Sequence, residues 1–273
     1  MIDGKIHKYT LINCKHVILP ETIFFYATHV NLTNIKKITT EPSDYPGTTS
    51  ALTRWTEEII ESFHIQNCTV TKFGENLLKD LFFKTIWIGN SVIERLHHHA
   101  FRNTTVEEFH IFDTTFEHLD AEAFNMNVNQ ALILVGNEFT EFHEDSFKEI
   151  FVYPNTVVAV EENRFNDEQH KHFKLNFDSS MSNVSLHLSK FTKNVINREC
   201  KCDLFAYYNG HFRREELERD IYGKFILSFQ CFDEGLSNWF DYDKYNCDKE
   251  HDHEHEHEHE HGDGHEIVSF FDG

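Results

Sequence analysis

The chain has 273 residues, of which 40% are hydrophobic, and a formal net charge of −21 at pH 7. That length and hydrophobic content suffice for one structural domain with a continuous core. The negative charge repels phosphate backbones and anionic lipids, so we expect no nucleic-acid partner, and no segment approaches the roughly 20 apolar residues of a membrane span.

The first residues do not have the pattern of a secretory leader. Residues 1 to 15 lack the basic start and the apolar run of a signal peptide, so we expect a mature or truncated form, or a true start that lies upstream.

Pro42, Pro46 and Gly47 mark residues 41 to 54 as a protruding loop. Two strand-like units precede this loop, each with two alternating apolar residues and an asparagine: Tyr9, Leu11 and Asn13, then Val30, Leu32 and Asn34.

Between Phe63 and Phe147, four copies of one pattern recur in register with a constant spacing. Each copy has two alternating apolar residues, an Asn-type residue and further apolar residues downstream. Such register across several units is the mark of a repeat protein, in which no unit buries its inner face alone. The first, second, third and last of its columns are Phe63, Ile86, Phe109 and Leu132; Ile65, Ile88, Ile111 and Leu134; Asn67, Asn90, Asp113 and Gly136; and Leu78, Phe101, Phe124 and Phe147.

This unit resembles the leucine-rich repeat, with phenylalanine and isoleucine often in place of leucine. We predict an α/β solenoid of about 23-residue units with a parallel concave sheet over residues 1–197, followed by a C-terminal disulfide cap over 198–247 and a disordered tail over 248–273. Val158, Val160 and Asn163 match a fifth strand of the block, and Leu186 with Leu188 a last one.

The third column is predicted to turn the chain, with its amides bound to backbone groups of neighbouring turns. One member, Asn67, begins an Asn-x-Thr sequon. A glycan there would break the turn. Three other sequons begin at Asn31, on the concave strand face, and at Asn103 and Asn183, in accessible segments. We therefore expect glycosylation only at Asn31, Asn103 and Asn183.

Ligands of leucine-rich repeat proteins usually bind the concave sheet, so the residues that alternate outward between the core columns are the candidates. Neighbouring strands place them ~5 Å apart, which predicts one exposed apolar patch with polar edges at Gln66 and Glu161. The alternative is that a flanking loop or a second copy of the chain covers this patch. The candidate ligand-binding residues are His64, Trp87, His110, Phe112, Ile133 and Val135.

The pattern of histidines in the sequence does not indicate an enzyme. The 21 histidines form no H-E-x-x-H motif, and no nucleophile, base and orienting group show a linked spacing. A run of three, His97 to His99, lies in the connection after Leu96. We interpret this run as solvated surface, with a metal contact as the alternative.

Four cysteines follow the last repeat: Cys200, Cys202, Cys231 and Cys247. Their spacing resembles the disulfide cap of many extracellular leucine-rich repeat solenoids, which implies the pairs Cys200–Cys231 and Cys202–Cys247 and an oxidising compartment. Zinc is the alternative, although zinc sites usually space their ligands as two close pairs.

The remaining two cysteines, Cys14 and Cys68, lie two strands apart. At ~4.8 Å per strand their backbones would be about 10 Å apart, beyond the ~7 Å limit for a bridge. Only a local distortion by the 41–54 loop would bring them together.

The cap segments carry a more specific resemblance. The order Asn197-Arg-Glu-Cys-Lys-Cys-Asp-Leu, then Cys231-Phe-Asp-Glu-Gly, then Tyr245-Asn-Cys is similar to the caps of secreted arthropod leucine-rich repeat proteins of the Oplophorus-luciferin monooxygenase non-catalytic subunit type. This resemblance covers most of residues 1 to 247. It implies a secreted, non-enzymatic binding or accessory subunit, and it does not imply light emission.

The tail has a composition of its own. Its ten acids against one lysine carry −9 of the net charge, and nothing in it forms a core. Imidazole and carboxylate together suit zinc or copper, so we predict several weak metal sites; a low-complexity extension without a role is the alternative. The candidate ligands are His251, His253, His255, His257, His259, His261 and His265.

Two functions follow from these observations. The first is a secreted binding or accessory protein that recognises a protein or another extracellular ligand on its concave face. The second is a protein that binds or buffers divalent metal through the tail. Neither function requires a cofactor, and no pattern predicts the oligomeric state.

Overall fold

A computed structural model of the chain describes residues 6–20, 23–24, 27–41, 59–166, 175–199, 221–233 and 236–239. Residues 42–54 of the predicted loop, most of the predicted cap and the whole tail lie outside the described residues. Among the described residues, no helix is long and apolar enough to cross a membrane.

The described residues form a parallel β-solenoid with two sheets, which confirms the predicted repeat fold. Sheet 1 contains the strand that opens each unit, and every pairing in it is parallel. In spatial order its strands are β1 (Ile6–Ile12), β3 (Ala27–Thr33), β5 (Ile60–Gln66), β7 (Phe82–Gly89), β9 (Thr104–Phe112), β11 (Met126–Val135), β14 (Val157–Glu161) and β16 (Ser189–Thr192), with β13 (Ile150–Val152) also paired to β11.

The returning half of each unit forms sheet 2 rather than a helix. Its strands are short because the chain turns again after four or five residues in most units. Ile221–Leu227 is the one α-helix of the described residues. In chain order the strands of sheet 2 are β2 (Val17–Pro20), β4 (Ile38–Glu41), β6 (Thr69–Lys72), β8 (Val92–Leu96), β10 (Thr115–Leu119), β12 (Glu138–Phe142), β15 (Arg164–Phe165), β17 (Asn194–Glu199), β18 (Phe229–Asp233) and the antiparallel β19 (Leu236–Trp239).

Stacked phenylalanines fill the space between the two sheets. Side chains alternate across a strand, so the predicted apolar columns point into this space and are buried. Phe101 stacks on Phe124 at 5.7 Å between ring centroids, and Phe124 on Phe147 at 5.1 Å. Offset stacking of this kind adds to the hydrophobic burial. The period therefore builds a continuous ladder of rings along the solenoid.

The column of Asn67 differs from its prediction. Asn67 is exposed and left-handed, with φ 52°, a conformation that asparagine tolerates better than most residues. Its amide donates to Asn34 Oδ1 at 2.7 Å, and the amide of Asn34 donates to Asn13 Oδ1 at 3.1 Å. At Gly136, φ 69°, a Cβ atom would lie within 3 Å of Asp113 Oδ1. The column turns the chain as predicted, but on the surface.

The buried polar ladder lies one residue after the predicted column in the four regular units, whereas in the fifth unit the predicted residue, Asn163, is itself a member. Asn163 Oδ1 accepts from the backbone N–H of Asn137 at 3.0 Å, and its amide donates to Leu134 O at 2.9 Å. Asn194 repeats these bonds one turn further, at 3.2 Å to Asn163 N and 2.8 Å to Val160 O. Because buried backbone groups need partners, this ladder is the element that the prediction assigned to the Asn67 column. Its members are Cys68, Ser91, Thr114, Asn137, Asn163 and Asn194.

The regular period stops before the last strand of sheet 1. The prediction placed that strand at Leu186 and Leu188, which instead form a 3₁₀ turn, Leu186–Leu188. The strand follows at Ser189, where Ser189 pairs with Val158 and Phe191 with Val160. The chain between these strands contains extra residues, including a further 3₁₀ turn at Ser179–Asn183. Alternation alone could not locate the strand after such an insertion.

Candidate binding face

All six predicted ligand-binding residues lie on the outward face of four neighbouring strands, β5, β7, β9 and β11. The parallel register aligns His64 with Trp87, Trp87 with His110 and His110 with Ile133. In the next outward row, Phe112 aligns with Val135. We call these six residues the aromatic patch. Alternation along a strand is sufficient to bring them together, because the core columns between them point inward.

Ring contacts connect the aromatic patch across its strands. The Trp87 ring lies 6.2 Å from the His64 ring and 6.1 Å from the Phe112 ring. His110 stacks on Phe112 at 5.9 Å with an interplanar angle of 17°. The patch is therefore one continuous surface. Its side chains are half-buried because each covers part of the next, whereas we predicted them to be solvent-exposed.

Gly89 determines how Trp87 lies. Gly89 is the neighbour of Phe112 in the second outward row, and a Cβ atom on it would lie within 3 Å of three atoms of the Trp87 indole. Since glycine has no side chain, the indole occupies that space and reaches the ring of Phe112. The indole thus lies over Gly89 and remains half-buried.

The polar edges lie where they were predicted. Gln66 is exposed at one side, and Glu161 at the other accepts from Thr192 Oγ1 at 2.9 Å and pairs with Lys190. On the flanking row, Lys84 pairs with Glu61 at 2.7 Å. In each pair a lysine neutralises an acid beside the patch.

Neighbouring histidines and burial affect the pKa of His64 in the patch. Burial, and then the neighbouring His29 and His110, lower the pKa of His64 below its usual 6.5. His29 Nδ1 lies 3.0 Å from Ser62 Oγ, and His110 Nε2 lies 3.4 Å from Glu108 Oε2. Protonation of His64 is therefore unfavourable in the folded state.

Acid should destabilise the fold through His64. Above pH 6.5 this residue is neutral in both states; as the pH falls through 6.5 the unfolded chain takes up the proton first, and stability is lost. We expect the parent to lose more unfolding free energy between pH 7.5 and 5.5 than His64→Gln does, measured by urea unfolding. Equal losses in the parent and His64→Gln would contradict the assignment.

An aromatic pair outside the predicted site is also exposed. Phe151 and Tyr153 are 41% and 46% exposed, and their rings meet edge to face at 5.2 Å. They lie in and just after β13, which pairs with β11 beyond the end of the regular repeat. Sequence analysis missed them because β13 belongs to an off-period insertion, and two aromatics around Val152 were the only signal.

A groove of about 490 Å³ runs along the turn edge and contains the free cysteines Cys14 and Cys68. Ile35 occupies the equivalent position in the turn between them, which confirms that they lie two strands apart. Burial raises the pKa of the Cys68 thiol. Its thiol donates to Gln66 O at 3.1 Å, so Cys68 acts as a member of the buried polar ladder.

The glycosylation candidates have different exposures. Asn103 and Asn183 are exposed, as expected, and Asn31 is half-buried with its Oδ1 accepting from Thr33 Oγ1 at 3.1 Å. Asn67, which we excluded, is exposed as well. Burial therefore no longer separates Asn67 from the other three.

The cap is described only in part. Cys231 is buried in β18, while Cys200, Cys202 and Cys247 lie outside the described residues. The predicted pairing thus stays a prediction. The seven tail histidines also lie outside the described residues.

Comparisons with protein-family models, curated proteins and solved structures found no match to this chain. The resemblance seen in the cap segments therefore stays a prediction, and the function is argued from the aromatic patch itself.

Proposed function

We propose that this is a secreted, non-enzymatic binding or accessory protein that holds its ligand on the outward face of sheet 1. The observation that supports this most is the continuous aromatic patch, which the solenoid does not need for its own core. Half-exposed tryptophan and aromatic neighbours in one contiguous patch are characteristic of interaction sites on soluble proteins.

The ligand best suited to this face is a protein segment with apolar side chains flanked by basic groups. The patch offers aromatic rings for apolar contact, while the whole chain carries a formal net charge of −21. Long-range attraction then steers a basic partner toward the protein, and the rings supply most of the affinity after contact. Another extracellular ligand with an apolar face would use the same rings.

Secretion is proposed from the cysteines. The predicted pairs Cys200–Cys231 and Cys202–Cys247 would close the open end of the solenoid, and such disulfides require an oxidising compartment. Peptide mapping without reduction tests this pairing, and free thiols at Cys200, Cys202 and Cys247 would contradict it. Glycans at Asn103 and Asn183, and at Asn31, belong to the same proposal.

Capture by the immobilised full chain tests the proposed face. We expect Trp87→Ala with Phe112→Ala to lose the ligands that the parent retains from extracellular fluid, since truncating such anchors commonly costs about 2 kcal/mol or more, or at least about 30-fold in affinity. The matched control is Phe151→Ala with Tyr153→Ala, which removes two exposed aromatics from β13 and its turn. Loss in the control instead of the patch variant would move the site to β13.

A second candidate function is divalent-metal binding or buffering by the tail. Seven histidines alternating with acids support it. Metal needs neutral imidazole, so uptake should weaken between pH 7.5 and 5. Zinc titration of the full chain beside a chain whose seven tail histidines are changed to Gln measures this uptake.

A further inference from the structure

The turns that follow β6, β8 and β10 bring imidazoles and carboxylates of three successive units together. Three pairs of residues occupy equivalent positions in neighbouring units, because the members of each pair are separated by one repeat of 23 residues. These pairs are Glu75 and His98, His97 and Asp120, and His99 and Glu122. Each histidine therefore lies beside a carboxylate of the adjacent turn.

Backbone hydrogen bonds hold these turns in register. The N–H of His99 donates to Glu122 O at 3.2 Å, and the N–H of Asn76 donates to His99 O at 3.1 Å. His99 itself is left-handed, with φ 56°. The donor groups thus project from a pinned turn rather than from a free loop, which reduces the entropy lost when an ion binds.

The distances between donor atoms match those around one small ion. His97 Nδ1 lies 3.4 Å from Asp120 Oδ2, and His98 Nε2 lies 3.3 Å from Glu75 Oε1. In two groups of three, His97 with His98 and Asp120, and Glu75 with His98 and His99, all ligand atoms lie within 4.8 Å of one another. Tetrahedral ligands at zinc, with bonds of about 2.0–2.1 Å, lie ~3.3 Å apart.

The chemistry of the donors favours zinc over calcium or magnesium. Each group supplies two imidazole nitrogens and one carboxylate oxygen, a set that borderline-soft ions prefer, whereas calcium and magnesium take oxygen ligands. Arg95 Nη2 binds the other oxygen of Asp120, Oδ1, at 2.9 Å. That contact leaves Oδ2 facing His97 and orients the carboxylate.

We propose that the solenoid binds one Zn²⁺ at a site centred on His98, the residue common to both groups. The ion takes two imidazoles and one carboxylate and keeps its fourth position for water. It joins the turn that carries His98 to the neighbouring turn that carries Glu75 or Asp120, and so it acts as a clip between successive units. This site is separate from the aromatic patch and from the tail, and it does not depend on the proposed function.

Zinc titration of the full-length chain with all seven tail histidines changed to Gln tests the proposal. With zinc chloride as the probe, isothermal calorimetry at pH 7.5 should show one ion per chain, and zinc at a hundred times Kd should raise the folded-to-unfolded ratio about 100-fold. His98→Gln in this background should weaken binding at least tenfold. The unaltered tail should add several weaker ions.

A matched control is available in the neighbouring unit. His118 and Glu141 are as exposed as His98 and Glu75 and form a pair at 2.7 Å, yet they belong to neither three-ligand group of the described residues. His118→Gln should leave zinc affinity within about twofold. A double variant, Glu75→Gln with Asp120→Asn, removes the carboxylate from both groups while keeping the histidines, and should also weaken binding at least tenfold.

All variants are first compared by unfolding in EDTA, which distinguishes a loss of stability from a loss of zinc binding. Variants that unfold like the parent in EDTA but lose zinc affinity support the site. No zinc uptake by the chain with the altered tail, or uptake unchanged by both His98→Gln and the double variant, would overturn it.

Discussion

Phe124→Ala should lower the free energy of unfolding by about 3–5 kcal/mol, the usual cost of removing a buried phenylalanine. Phe124 is fully buried and its ring contacts those of Phe101, Phe109, Phe116 and Phe147 at 5.1–6.0 Å. The cavity left by its removal would adjoin three successive units, and a close-packed ladder cannot collapse around it without shifting its neighbours. Urea unfolding followed by circular dichroism measures the change.

The control is Phe151→Ala, at a ring that is 41% exposed. We expect this change to cost less than about 1 kcal/mol, as for most exposed positions. Because units of a solenoid are stabilised by their nearest neighbours, the Phe124 variant should also unfold less cooperatively than the parent. Similar losses in the two variants would show that the ring ladder does not carry the stability of the fold.

Asn163→Ala should cost at least about 2 kcal/mol, since it leaves two buried backbone groups without partners at about 1–3 kcal/mol each. These groups are the N–H of Asn137 and the C=O of Leu134. Asn163 is itself buried, so water cannot replace its amide easily. Chemical denaturation of parent and variant gives the difference.

Asn67→Gly is the matched change in the exposed asparagine column. Residue 67 has φ 52°, which glycine adopts without strain, and the amide that is lost faces solvent. We expect a change of less than about 1 kcal/mol. If Asn67→Gly were as destabilising as Asn163→Ala, the surface column and not the buried ladder would be the structural one.

The inward columns could be predicted from the sequence because their register alone determines which side chains meet. Phe63, Phe109 and Phe124 are all buried, as strand alternation and the constant period required. The asparagine ladder was displaced by one residue for a physical reason. Asn67 and Cys68 begin the same turn, and only the backbone conformation decides which of them points inward.

The position of β16 (Ser189–Thr192) could not be predicted from the sequence. An insertion before it interrupts the constant period by which the other strands of sheet 1 were located. The aromatic patch shows a similar limit. Its membership followed from alternation, but its half-buried state did not, because the close approach of Trp87 to Gly89 depends on the rotamer of the indole. Phe151 and Tyr153 lay outside the repeat and so outside the prediction.

Hydroxyl-radical footprinting of the full chain with and without its captured ligand tests the central claim, that the aromatic patch is the binding face, most directly. The method reports the solvent exposure of individual side chains. We predict that oxidation of Trp87 and Phe112 falls strongly when the ligand is bound, while oxidation of Phe151 and Tyr153 does not change. Unchanged oxidation of Trp87 and Phe112 together with protection of Tyr153 would contradict the claim and place the ligand at β13.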